Sequence, residues 1–177
     1  MTLQLDTDTT VTGNDVVIWT GVAVATESVT FRVTVSANDS GDLVVAEVSG
    51  QNATPISGVG SEVRSTTATT ADALGTAGLD VFTGDVVIVS HRSANANNAS
   101  LTIPSGATAI TTDASFRGGV YYKEFGSDSA AEKMRFTTPL ARTCESGGIV
   151  VATASAPGGV LYSQIESRHR GLNRGVA

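Results

Sequence analysis

Gly84-Asp85-Val86-Val87-Ile88-Val89 decides the fold class of this 177-residue chain. Gly and Asp tolerate the positive or locally hydrogen-bonded backbone of a turn, and Val and Ile, stiff at their first side-chain torsion, favour the pleated surface that follows. The same grammar recurs at Gly13-Asn14-Asp15-Val16-Val17-Ile18 and at Gly41-Asp42-Leu43-Val44-Val45. The three starts are unevenly spaced, which argues against a solenoid or propeller built on a fixed period.

Working outward from these starts, the pattern predicts short strands over residues 2–10, 16–24, 28–36, 42–49, 80–91, 99–103, 107–111, 115–124, 132–137, 147–154 and 160–165. In the third of them Phe31, Val33 and Val35 alternate with Arg32, Thr34 and Ser36, one face apolar and the other wet, as in a half-buried antiparallel sheet. Ala37-Asn38-Asp39-Ser40-Gly41-Asp42 then supplies a hairpin turn. From Gly50 to Gly78 the pattern weakens into Gly, Ser, Thr and Ala around Ser65-Thr66-Thr67-Ala68-Thr69-Thr70, which predicts an irregular, extended middle arm. Many short strands with no strong amphipathic helix predict an all-β, antiparallel two-sheet sandwich, jelly-roll-like. One domain is expected over residues 1–166, with a C-terminal tail over 167–177.

Composition narrows the partners. Hydrophobic residues make up 41% and aromatics only 5%, a small-residue core suited to thin packed layers. The net charge of -6 would repel phosphate backbones and anionic lipid surfaces, so neither nucleic acid nor a membrane is expected as a partner. The start, Met1-Thr2-Leu3-Gln4-Leu5-Asp6, lacks the basic region and apolar core of a secretory signal, and no apolar stretch approaches the roughly 20 residues that span a bilayer. The expectation is synthesis in the cytoplasm without export by that route. Cys144 is the single cysteine, which excludes an internal disulfide and a thiolate zinc cluster.

No residue set in the chain demands a particular reaction. His91, at a strand end beside Arg92, and His169 lie far apart without acidic residues at ligand spacing, and both read as surface or assembly contacts. Asp6, Asp8 and Asp15, like Asp39 and Asp42, lack the Gly and distal Glu of a calcium loop and read as turns. Ser146-Gly147-Gly148 lacks the Gly-X-Ser-X-Gly order of a nucleophile elbow. Gly118-Gly119 and Gly158-Gly159 lack the Lys-Ser/Thr ending of a phosphate loop. Glu124, Glu132 and Glu145 could form a glycosidase pair only by converging in space, and no spacing supports it. The chain is therefore expected to be non-enzymatic, with no catalytic residues, no metal and no cofactor.

Aromatic and basic residues carry the remaining candidates. Trp19 ends a β-run and predicts packing in the core or at a subunit contact. Tyr121 and Tyr122, adjacent on one strand, must point to opposite faces, so one ring is available to stack on a ligand, with Asn97 and Asn98 of the nearby Asn-rich loop supplying amide hydrogen bonds. Arg168, His169, Arg170 and Arg174 form the only basic run of an acidic chain, suited to docking on an acidic neighbour.

Gly84-Asp85-Val86-Val87-Ile88-Val89, Ile103-Pro104-Ser105-Gly106, Val120-Tyr121-Tyr122-Lys123 and Arg135-Phe136-Thr137 together resemble a domain pattern of phage tail and head-surface proteins and of some bacterial surface proteins. Ala107 stands where that pattern usually has Trp. The resemblance implies a virion structural protein that decorates a phage-like capsid or forms part of a head fibre or tail. Such a protein would be made in the host cytoplasm and assemble as a homo-oligomer with other virion proteins, such as a major capsid or tail protein. Its expected assembly residues are Trp19, Arg168, His169, Arg170 and Arg174. The alternative is a carbohydrate-binding or adhesive module using Tyr121, Tyr122, Asn97 and Asn98.

Overall fold

The computed structural model describes residues 2–7, 16–21, 43–64, 69–93, 101–111, 118–139, 141 and 143–154. Within them the Gly-Asp turn that opens the Val86–Val89 run is built as its residue types require. Asp85 accepts the Phe82 amide proton on Oδ2 at 2.9 Å and donates its own to the Phe82 carbonyl at 3.0 Å. Gly84 supplies the left-handed φ of +91° between them. The other two Gly-Asp turns, the strand at 28–36 and the turn at 37–42 lie outside the described residues.

Among the described residues the chain is all-β and antiparallel. Its centre is a five-stranded sheet in the order β3 (Gln51–Arg64), β11 (Cys144–Thr153), β6 (Val86–Ser93), β8 (Gly118–Glu124), β7 (Thr108–Ala109). Among the described residues three two-stranded ribbons accompany it: β1 (Thr2–Asp6) with β2 (Val17–Thr20), β4 (Thr70–Asp72) with β10 (Arg135–Thr137), and β5 (Leu79–Val81) with β9 (Ser129–Glu132). Among the described residues no helix is long and apolar enough to cross a membrane.

Alternation along β6 divides the core in two. Val87 and Val89 point to one face, where they pack with Leu74 before β5, Val81 of β5, Tyr121 of β8, Val150 of β11, and Met134 and Phe136 at β10. Val86 points to the other and packs with Ile149 and Val151, against which Ile18 of β2, Val48 and Ile56 close. Ribbons thus lie on both faces of the sheet, and the layering is sandwich-like.

The stretch expected to be an irregular arm holds the longest described strand. β3 pairs with β11 over most of its length, from Arg64 opposite Cys144 to Gln51 opposite Thr153. Its Gly and Ser content, which reads as loop by composition, serves close approach. A methyl group at Gly60 would overlap the Leu74 backbone, and one at Gly147 of β11 would overlap the Leu5 side chain. Residues 43–49, predicted as a strand, have no ladder of their own among the described residues. Their burial still alternates, with Val44, Ala46 and Val48 the less exposed set.

Candidate functional site

The central strands bring together a polar row that the sequence keeps far apart. Ser146 on β11 stands opposite Glu62 of β3 on one side and His91 of β6 on the other, so three polar side chains share one face at a single register. All are buried: His91 is 1% exposed, Ser146 0% and Glu62 7%. The Ser146 Oγ lies 2.7 Å from His91 Nδ1. The imidazole stacks on Phe136 of β10, with ring centroids 4.7 Å apart and planes 19° from parallel, and Tyr121 tilts against the same Phe136 ring. His91 Nε2 is buried without a hydrogen-bond partner. Burial drives the His91 pKa down to about 4, since charging the ring inside the core forfeits its hydration.

The β4–β10 ribbon meets this row at the Glu62 carboxylate and is itself cross-linked by charge. Glu62 Oε2 accepts the Asp72 amide proton at 2.6 Å, and Arg64 pairs with the same carboxylate. Asp72, 2% exposed, receives Arg135 through Nε at 2.7 Å and Nη2 at 2.9 Å, a bidentate geometry that Lys could not supply. Lys133 Nζ stands 3.9 Å from the same carboxylate. Hydrogen bonding to Asp72 raises the Arg135 pKa above its ordinary value. Cys144 is buried on the face that holds Ser146, and burial, followed by the nearby Glu62 charge, pushes its thiol up to about 11.

The opposite face carries a second buried fastening. Glu145, 0% exposed, accepts the Thr7 hydroxyl proton on Oε2 at 2.8 Å. Thr7 in turn accepts the Val16 amide proton on Oγ1 at 2.8 Å and donates its own amide to the Val16 carbonyl at 3.1 Å. One threonine therefore pins the β1–β2 ribbon to β11.

A serine touching a histidine invites an acyl-transfer reading, which needs a basic imidazole, an approach path and oxyanion donors. Here the imidazole is a weak base stacked on Phe136, and both side chains are buried. Glu124 and Glu145 do not converge either. Glu124 stands opposite Val86 and Glu145 opposite Arg92, six residues along β6, hence roughly 20 Å apart at strand rise. That exceeds the ~5–9.5 Å of paired glycosidase acids. Glu132 sits half-buried on β9, 4.0 Å from Lys123 Nζ. Among the described residues no group of three His, Cys, Asp or Glu side chains is placed to hold a metal ion. A dimple lined by Ala46, Val48, Val86, Ile88, Ile110 and Tyr122 has only about 10 Å³ of room, at the threshold for one water.

The residues singled out from sequence are distributed as follows. Trp19 is not in the core; it is 53% exposed and stands opposite Leu3 in the β1–β2 ladder. Tyr121 is the inward member of its pair, 5% exposed, so it offers no stacking surface. Tyr122 is half-buried on the other face. Asn97, Asn98, Arg168, His169, Arg170 and Arg174 lie outside the described residues. His91, expected at the surface, is a core residue. The signal that could have placed it was the period of two through Val87, Val89 and His91, which puts all three on one sheet face. Ser146 and Glu62 had no such signal, because their partners come from distant strands. No family model, no curated protein and no solved structure matches the chain.

Proposed function

We propose that the chain is a non-enzymatic structural protein that works by joining copies of itself into a larger lattice, as a head-decoration, head-fibre or tail component of a phage-like virion does. The observation that carries this reading is the outer face of the β1–β2 ribbon. Leu3, Val17 and Trp19 are 42%, 46% and 53% exposed there, with Trp19 and Leu3 directly paired across the strands. An outward tryptophan flanked by two aliphatic side chains is the composition of an interface anchor. Three side chains fall well short of the ~1,200 Å² of a stable two-body interface, and instead suit many modest contacts summed by multivalency. The sealing of Ser146 and His91 supports the same reading, since the buried polar groups fasten layers.

In this proposal the protein is made in a host cytoplasm, resides in the virion and docks on copies of itself and on a major capsid or tail protein. The basic run Arg168, His169, Arg170 and Arg174 adds a charged contact. Light scattering on the full chain tests the reading. Concentration-dependent association that Trp19→Ser diminishes is expected, and a chain that stays monomeric at all concentrations would overturn it. Removal of residues 167–177 is expected to weaken incorporation into particles while leaving the fold intact.

A further inference from the structure

We infer that His91 is an acid-operated latch between the central sheet and the β4–β10 ribbon: proton uptake at the ring releases the ribbon and uncovers the Cys144 end of β11. The ribbon meets the sheet through side chains. Its own ladder runs between β4 and β10, and its joints to the sheet include the Phe136–His91 stack and the Glu62–Asp72 hydrogen bond. β4 packs on both β3 and β11. One imidazole therefore sits at a seam between layers, where a charge would meet the face of Phe136, a cation–π contact that falls short of the hydration a buried ion forfeits.

Among the described residues nothing offers that charge a counter-ion within hydrogen-bond reach. On β11 the contact is the neutral Ser146, with Cys144 next on the same face and Glu145 on the opposite one. On β8 the position across is Gly119, beside which the Tyr121 hydroxyl lies. On β10 it is Phe136, whose neighbour Arg135 is turned to Asp72. On β6 itself Arg92 points to the other face and Ser93 to the same one. Glu62 of β3 is two strand spacings away, about 10 Å, and is engaged by Arg64 and by the Asp72 amide. Protonation makes both ring nitrogens donors, and one of them, Nε2, has no partner. A desolvated, unpaired charge is the costliest group a core can hold, and separation of the layers rehydrates it.

Cys144 reports the opening. Its reaction with a disulfide reagent active in acid, divided into the rate of free cysteine at the same pH, gives a protection factor independent of thiol ionisation. A ring that titrates near 4 when closed and near its ordinary value when open lowers that factor roughly twentyfold between pH 7 and pH 5. The His91→Gln and His91→Phe variants are expected to show a flat protection factor. Hydrogen exchange on the native chain gives a second readout: amides of β10 should lose protection at pH 5 while those of β8 keep it. Protection that is unchanged with pH in the native chain overturns the latch, as does a fall that persists in both variants. Simultaneous loss of β8 and β10 protection also overturns it, because that is global unfolding.

Discussion

Acidification should weaken this fold by a calculable amount through one ring. His91 is neutral in the folded chain, with its pKa depressed to about 4 by burial, whereas an unfolded histidine takes a proton near 6.5. The unfolded state therefore binds more protons between those values, and stability must fall as pH falls. The contribution is fully present above about pH 6.5, declines by at most about 1.4 kcal/mol per pH unit, and is spent once pH passes below about 4. The whole loss is about 3 kcal/mol, of which about 2 kcal/mol occurs between pH 7 and pH 5. Against the 5–15 kcal/mol typical of a domain this is a large share. Carboxylates titrate in the same range, so the measurement is a difference. Urea unfolding of the native chain and of His91→Gln is followed by far-ultraviolet circular dichroism from pH 7.5 to pH 4, because the half-exposed Trp19 is a poor fluorescence reporter. The glutamine variant starts less stable, having lost the ring stack, and the gap between the two proteins should narrow by about 2 kcal/mol from pH 7 to pH 5. A gap constant with pH would refute the assignment of His91 as a neutral core residue.

Three further outcomes follow from the packing. Gly60→Ala should cost about 3 kcal/mol or more, because the added methyl meets Leu74 backbone, while Gly147→Ala should cost only about 1 kcal/mol, since it meets the end of the Leu5 side chain; thermal melts of the pair decide it. Thr7→Val removes the hydroxyl that joins Val16 to Glu145, with an expected loss of about 2 kcal/mol and early hydrogen exchange confined to β1 and β2. Ala131 holds a left-handed φ of 52° at an exposed position of β9, so Ala131→Gly should gain about 0.5–1 kcal/mol, and a lowered melting midpoint would contradict the strain argument.

Fold class was legible because β-branched runs behind Gly-Asp turns are local instructions. Val86, Val87, Ile88 and Val89 form a strand for reasons contained in their own side chains, and the turn before them closes on Asp85 as its chemistry demands. Residues 51–64 carry no comparable instruction. Their Ser and Gly content reads as loop, yet they form the edge strand of the main sheet because β11 offers a ladder and because Gly60 lets Leu74 come down on the backbone. Tyr121 and Tyr122 had to face opposite ways, but which ring lies inside depended on the placement of Phe136.

Alternation and turn chemistry, which act between residues a few positions apart, are thus determined by the sequence alone: an all-β antiparallel chain with a small-residue core. The partnership of Ser146, His91 and Glu62, the exposure of Trp19 and the fastening of Asp72 by Arg135 were decided only by the tertiary structure. The first and last rest on register between strands separated by tens of residues, and the exposure of Trp19 on the β1–β2 ladder. Register is set by the sum of packing on both faces of the sheet, and no single segment carries that sum.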